Sequence, residues 1–232
     1  MLRMGVYDVP FYSDKFYDHK ARWIHYFHQI RTVADEIRRR GGTDGFSVLE
    51  IGPSHGLVTE YLRKFGVKVT TLDYKPEYKP DVIGDVREMP FADNRFEMAV
   101  ACEVLEHMPF ADTLKALGEL RRVTRRTVFV SVPDARRTLV GLRLKLPLFK
   151  EMSMVIRFPA FTRQMVTTEH GHHWEIGKIG YPVRFVRRAF EETGFRIRRN
   201  GMLPDTPRNH YFVLEKYLVI SAKRNQNRSS EN

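Results

Sequence analysis

The run VLEIGPSHGLVTEYL, residues 48–62, constrains this chain more than any other stretch. An apolar, strand-like segment ends in Glu-Ile-Gly-Pro-Ser-His-Gly and switches at once to helical spacing, with Leu57, Val58, Tyr61, Leu62 and Phe65 on one face. A strand joined to a helix through a glycine bend begins a βαβ unit, and the alternation continues. With 46–51 as the first strand, residues 67–72, 81–83, 96–102 and 127–132 read as further strands, several rich in β-branched residues. Leu114, Leu117, Leu120 and Val123 mark a helix, and Pro182 opens another that carries Val183, Val186, Ala189 and Phe190. Residues 195–201 and 217–223 are expected as the last strands, which makes seven. The pattern predicts an α/β domain over 41–224 with a mostly parallel sheet.

Two flanking segments differ. Within 1–40, Trp23, Ile24, Phe27, Ile30, Ala34 and Ile37 fall at helical spacing and stop at Gly41-Gly42, which predicts an N-terminal helix packed on the domain. The tail NQNRSSEN, residues 225–232, is low in complexity and expected to be disordered. Inside the domain, 134–168 breaks the alternation. Seven of its residues are Lys or Arg and two are Asp or Glu, among many Leu, Met, Val, Ile and Phe. It follows a strand end, where open α/β sheets carry their sites, and reads as a cap inserted over the site, helical in part.

The net charge of +11 favours anionic partners, or else marks a basic enzyme surface. No stretch approaches the apolar length of a membrane span, and the opening residues lack the apolar segment of a signal peptide. The expected location is the cytoplasm, with peripheral membrane contact through 134–168 as a further expectation. The single cysteine, Cys102, lies in an apolar run and reads as a core thiol.

The bend at 52–56 lies at the carboxyl edge of the sheet, where glycines let a ligand approach the main chain and the next helix offers unpaired N–H groups. Asp73 ends the second strand 21 residues after Gly52, placed to accept two hydrogen bonds from a ribose diol. A dinucleotide would require Gly-x-Gly-x-x-Gly, but Ser54 and Leu57 occupy the second and third glycine positions.

Read from Glu50, the run is Glu-x-Gly-x-Ser-x-Gly, which resembles motif I of the class I S-adenosylmethionine-dependent methyltransferases, with serine at the middle glycine. VTTLDY, residues 69–74, is similar to motif II. GDVREMPFADNRFEMAVACEVLEHM, residues 84–108, is similar to the next two motifs of the type 11, ubiquinone-biosynthesis-like branch. Order and spacing match from 48 to about 132 and more loosely to 223. The resemblance implies a Rossmann-like seven-stranded sheet with helices on both faces, S-adenosyl-L-methionine as cofactor and methyl transfer as the activity. It implies that Glu50 faces the methionine part, that Gly52, Ser54, His55 and Gly56 line it, and that Asp73 holds the ribose with Tyr74 beside the adenine. Asp85 would accept from the adenine amino group, the Val86 N–H would serve a ring nitrogen, and Glu103 would lie near the methionine moiety or the acceptor. Other readings stay open: Asp85 as a turn cap, Glu103 and Glu106 as first-turn acids of a short helix, and His55 as a cap of the next helix.

Oxygen and carbon acceptors require a base, and histidine serves near neutral pH. TTEHGHHWEIG, residues 167–177, resembles a histidine loop that lines the acceptor pocket in type 11 enzymes. His173 and His172 are the first candidates, followed by His107 in EVLEH. A structural role, with Trp174 packing and a histidine bonding the main chain, is the alternative. His170, His172, His173 and Glu169 supply enough donors for zinc, but His172 and His173 are adjacent and no second ligand pair stands out, so no metal is assigned. The expected acceptor is a small molecule, a lipid or a lipid-linked sugar. The rivals are RNA, less favoured because no aromatic-and-basic module is evident, and a cofactor-binding protein without catalysis. The oligomeric state is not fixed by sequence.

Overall fold

The order in which strands pair decides where this molecule can bind a ligand. In the computed structural model, residues 20–145, 152–158, 160, 162, 171–203 and 206–217 are described. Seven strands form one sheet in the order β3-β2-β1-β4-β5-β9-β8. They are β1 (Ser47–Ile51), β2 (Lys68–Asp73), β3 (Val82–Ile83), β4 (Phe96–Cys102), β5 (Thr124–Pro133), β8 (Phe195–Leu203) and β9 (Thr206–Lys216). β1 pairs in parallel with β2 on one side and β4 on the other, so the strand order reverses between β1 and β4. β9 runs antiparallel between β5 and β8.

Side-chain alternation divides the core between two faces. Leu49, Ala99, Ala101, Val128 and Val130 point to one face, packing with Leu117 and Leu120 of α3 (Phe110–Val123) and Val186 and Phe190 of α4 (Val183–Glu192). Val48, Met98, Val100 and Phe129 point to the other, with Val58 and Leu62 of α2 (Leu57–Lys64) and Val33 of α1 (Lys20–Arg40). Glu36 of α1 pairs with Arg198 of β8 and accepts from Thr127 of β5 at 3.0 Å. Arg40 pairs with Glu97 of β4. These contacts tie α1 to three strands.

The sequence reading needs two corrections. The last strand among the described residues is Thr206–Lys216, which sequence reading did not mark, having expected a strand at 217–223. The apolar run beginning at Tyr217 attracts a strand assignment, but 206–216 is the segment that satisfies its backbone against β5 and β8 together. Of 217–223 only Tyr217 is described, and it lies outside the strand. The described part of the 134–168 cap is a β-hairpin rather than helix: β6 (Arg137–Leu144) pairs antiparallel with β7 (Met152–Phe158). Alternation of Leu142 and Leu144 with Arg143 and Lys145 is the period of a strand. Residues 16–19, 146–151, 163–170 and 225–232 lie outside the described residues. Among the described residues no helix is long and apolar enough to cross a membrane.

Candidate functional site

A crevice opens in a doubly wound sheet where strand order reverses, outside the carboxyl ends of the strands. Here that edge carries the β1–α2 bend, the end of β2 and the segment after β4. Gly52, Ser54 and Gly56 have φ of 66°, 54° and 75°. Ser54, at the middle position where motif I has glycine, adopts the left-handed conformation that glycine takes freely. A Cβ on Gly52 would stand 2.8 Å from Val104 Cγ2, so the bend lies directly against the segment after β4. Gly56 caps α2, its carbonyl accepting the Glu60 N–H at 2.8 Å. His55 is half-buried, with Nδ1 3.3 Å from Ser54 Oγ.

The acids at this edge differ in character. Glu50 is buried and accepts a hydrogen bond from Thr59 Oγ1. Burial pushes its carboxyl up to about 7, against the opposing effects of Thr59 and Arg63. Asp73 is also buried and raised by that burial, although it accepts the Lys75 N–H at 2.9 Å. Tyr74 beside it is exposed, with Lys75 Nζ 5.5 Å from its ring centroid. Asp85 accepts the Arg87 N–H at 2.8 Å and pairs with the Arg87 guanidinium at 2.6 Å. Hydrogen bonds from Arg87 hold its carboxyl below the ordinary value, and Arg87 also reaches Asp112 at 2.9 Å. Asp85 therefore closes a turn. The Val86 side chain packs in the core.

After β4 the chain turns sharply. Glu103 has φ 56°, its N–H donates to Ser131 O at 3.0 Å, and its Oε1 accepts from Ser131 Oγ at 3.1 Å. A short 3₁₀ turn, Leu105–His107, follows. Glu106 is fully buried, and among the described residues neither carboxylate oxygen has a hydrogen-bond partner. Burial, with Glu103 nearby, drives its carboxyl well above the usual range. Against this turn lies the histidine loop. The His173 N–H donates to Glu106 O at 2.7 Å. Trp174 is buried and donates from Nε1 to Leu105 O at 3.1 Å and Thr113 Oγ1 at 3.0 Å. The His107 and His172 rings are 4.9 Å apart, edge to face. His172 Nδ1 is 2.8 Å from Glu175 Oε1. Glu169 and His170 lie outside the described residues.

Sequence reasoning did not single out the anchor of the hairpin. Buried Asp134, just after β5, pairs with Arg136 at 2.6 Å, Arg157 at 2.8 Å and His210 at 3.3 Å. Burial opposes ionisation, but His210, Arg136 and Arg157 together hold its carboxyl down at about 2. Ile176 bridges to Asp134, so the histidine loop, the β5 end and the hairpin base meet at the same edge as the bend. Asp-Ala-Arg-Arg directly after a strand was the available signal.

A reversal between β1 and β4, an antiparallel pair at the far edge, a glycine bend and an acid closing β2 define the fold of the class I S-adenosylmethionine-dependent methyltransferases. Residues 49–132 match the model of a methyltransferase domain family, type 11. The matched methyltransferase domain points to methyl transfer with S-adenosylmethionine as cofactor. Its fold is shared with 1,6-didemethyltoxoflavin-N1-methyltransferase of Burkholderia thailandensis, at 16% identity and TM-score 0.54 over 89% of this chain and 82% of that one. It is also shared with magnesium protoporphyrin IX methyltransferase of Synechocystis, at 13% identity and TM-score 0.56 over 85% of each chain. No curated protein sequence matches.

Proposed function

We propose that the chain methylates an amphiphilic acceptor, a lipid or a lipid-linked sugar, with Glu50, the 52–56 bend and Asp73 holding the cofactor. The cofactor, when bound, supplies an electrophilic methyl group on a sulfonium sulfur. Three features of the edge fit it: a bend whose backbone is open to a ligand, a buried carboxylate at Glu50 able to receive an ammonium group, and a buried carboxylate at Asp73 able to receive a diol. Tyr74, the Val86 N–H and Glu103 are kept beside the cofactor in this proposal. Asp85 is already engaged by Arg87, so adenine contact there requires that Arg87 share it. Asp73→Ala is expected to weaken S-adenosylmethionine binding by about 1–3 kcal/mol, the range for a lost charged hydrogen bond. Unchanged affinity in titration calorimetry would remove the residue from the site.

The observation that carries the acceptor reading is the hairpin. Val140, Leu142 and Leu144 of β6 share a face with Met152, Met154 and Ile156 of β7, and all six side chains are exposed. The opposite face turns toward the body through Arg157, which is anchored at Asp134. An apolar strip of this kind beside a cofactor crevice, on a chain of net charge +11, suits a long apolar tail with an anionic head. His173 is assigned as the group that takes the proton from an acceptor oxygen, since its backbone is fixed on Glu106 and its ring is half-buried at the same edge.

The test is incubation of purified protein and methyl-labelled S-adenosylmethionine with separate lipid, water-soluble and RNA pools. Label in the lipid pool is expected. Leu142→Asp with Met154→Asp should lower kcat/KM for that acceptor by about 10-fold or more, the scale of two lost apolar contacts, with cofactor affinity unchanged. Label confined to RNA or to water-soluble compounds overturns the acceptor reading. No label in any pool, with cofactor bound, favours a protein that binds without catalysis.

A further inference from the structure

Glu106, His107 and His172 come together from parts of the chain 65 residues apart, and one ligand atom from each lies within 4.8 Å of the others. Glu106 is fully buried with both carboxylate oxygens unpartnered among the described residues. Whether ionised or protonated, a carboxyl group in that position leaves polar atoms unsatisfied, which native interiors avoid. We propose that these three residues bind a divalent transition-metal ion, with His172 ligating through Nε2.

The surroundings have the form such a site requires. A metal-binding histidine usually gives its second ring nitrogen to a carboxylate, which fixes the tautomer and aims the ring. His172 Nδ1 lies 2.8 Å from Glu175 Oε1, so ligation by His172 would use Nε2. Metal–nitrogen and metal–oxygen bonds of about 2.0–2.2 Å place neighbouring ligand atoms roughly 3.3–3.5 Å apart. Closing from 4.8 Å is within the swing of His107, an exposed side chain on a short turn. Two imidazoles and one carboxylate favour Zn²⁺ or Mn²⁺ over Mg²⁺ or Ca²⁺, which prefer all-oxygen ligands. Three protein ligands leave at least one position open, as in catalytic rather than structural sites. Sequence alone sought ligands within 169–173. The fold supplies the missing pair from the turn after β4.

Val104, two residues before Glu106, is the residue that meets Gly52, so the cluster follows directly on the segment that lies against the bend. An ion there would hold an acceptor oxygen and lower its pKa. That role rests on the acceptor reading above, whereas occupancy of the site does not.

The experiment is calorimetric titration of untagged, chelator-treated full-length protein with Zn²⁺ and with Mn²⁺, in the absence of any acceptor. Binding of one ion per chain is expected, not displaced by millimolar Mg²⁺. Glu106→Gln and His172→Asn should each abolish saturable binding, and Glu175→Gln should weaken it roughly 10–100-fold. Mn²⁺ in the wild-type protein should show nitrogen hyperfine couplings from two imidazoles. S-Adenosylmethionine affinity, measured on the same variants, reports independently whether the fold and the cofactor site survive. If Glu106→Gln does not fold, His172→Asn and the couplings decide alone. No saturable binding to the wild-type protein, or binding that persists in His172→Asn, overturns the proposal whatever the methyl acceptor proves to be.

Discussion

Glu50→Gln is expected to stabilise the cofactor-free protein at pH 8 and to weaken cofactor binding in the same molecule. Burial raises the Glu50 carboxyl from 4.5 to about 7. The native state thus holds this proton more tightly than the unfolded chain does. Its contribution to stability is full below about 4.5, declines as pH rises toward 7, and stays lost above that. A shift of that size corresponds to roughly 3 kcal/mol at about 1.4 kcal/mol per unit. Glutamine does not ionise, and Thr59 can still donate to its amide oxygen. The new amide N–H₂ needs partners of its own, so the net gain is about 1–3 kcal/mol. Urea denaturation from pH 4 to pH 8 checks this: the two proteins should converge in acid and separate as pH rises. Binding moves the other way, because an amide cannot neutralise the cofactor's ammonium, and affinity should fall by about 1.5–3 kcal/mol, the range for a hydrogen bond to a charged group. A variant less stable than wild type at pH 8 would mean that the carboxylate already has an ionic partner in the free protein.

Trp174→Ala should cost about 3–5 kcal/mol, the range for removing a large buried aromatic side chain. Trp174 is fully buried, meets Phe110 edge to face at 5.0 Å, and ties its indole N–H to Leu105 O and Thr113 Oγ1. It pins the histidine loop to the turn after β4. Trp174→Phe keeps most of the volume and loses only the N–H contacts, so it should cost about 1–2 kcal/mol. Chemical denaturation gives both values. The alanine variant should also lose methyl transfer more steeply than cofactor affinity, because the bend and Asp73 belong to different strands from the loop. Equal losses of the two would mean that the loop and the bend fold as one unit.

Local physics explains which elements were legible in sequence. β1, β2, β4 and β5 announce themselves because each is a short apolar run between helical segments, and buried parallel strands have that composition. The glycine bend was legible because few residue types tolerate its conformation, and Ser54 shows that the turn survives one exception. The strand at Thr206–Lys216 was not read as one because an antiparallel edge pair is chosen by its partner. His210, Phe212 and Leu214 face one way and Tyr211 and Val213 the other, yet Pro207, Arg208 and Asn209 dilute that pattern. The β6–β7 hairpin was missed for a related reason: its alternation in 142–145 becomes a strand signal only once 152–158 is known to pair with it.

The site divides in the same way. Glu50, Asp73 and the bend could be read because strand ends converge on one edge in any doubly wound sheet. The proximity of Glu106 and His107 to His172, and the gathering of Arg157 and His210 on Asp134, join segments far apart in the chain. Such contacts carry no local periodicity. Asp85 illustrates the opposite hazard: it stands where the family pattern has it, yet its own neighbour Arg87 occupies it.

The central claim is that the bend at 52–56 and the carboxylates of Glu50 and Asp73 grip the cofactor. A crystal structure of the protein soaked with S-adenosylhomocysteine tests it most directly. Both ribose hydroxyls should lie within about 3.2 Å of the Asp73 carboxylate, with the homocysteine ammonium on the Glu50 side of the bend. Nucleoside density elsewhere, or a ribose turned away from Asp73, would contradict it.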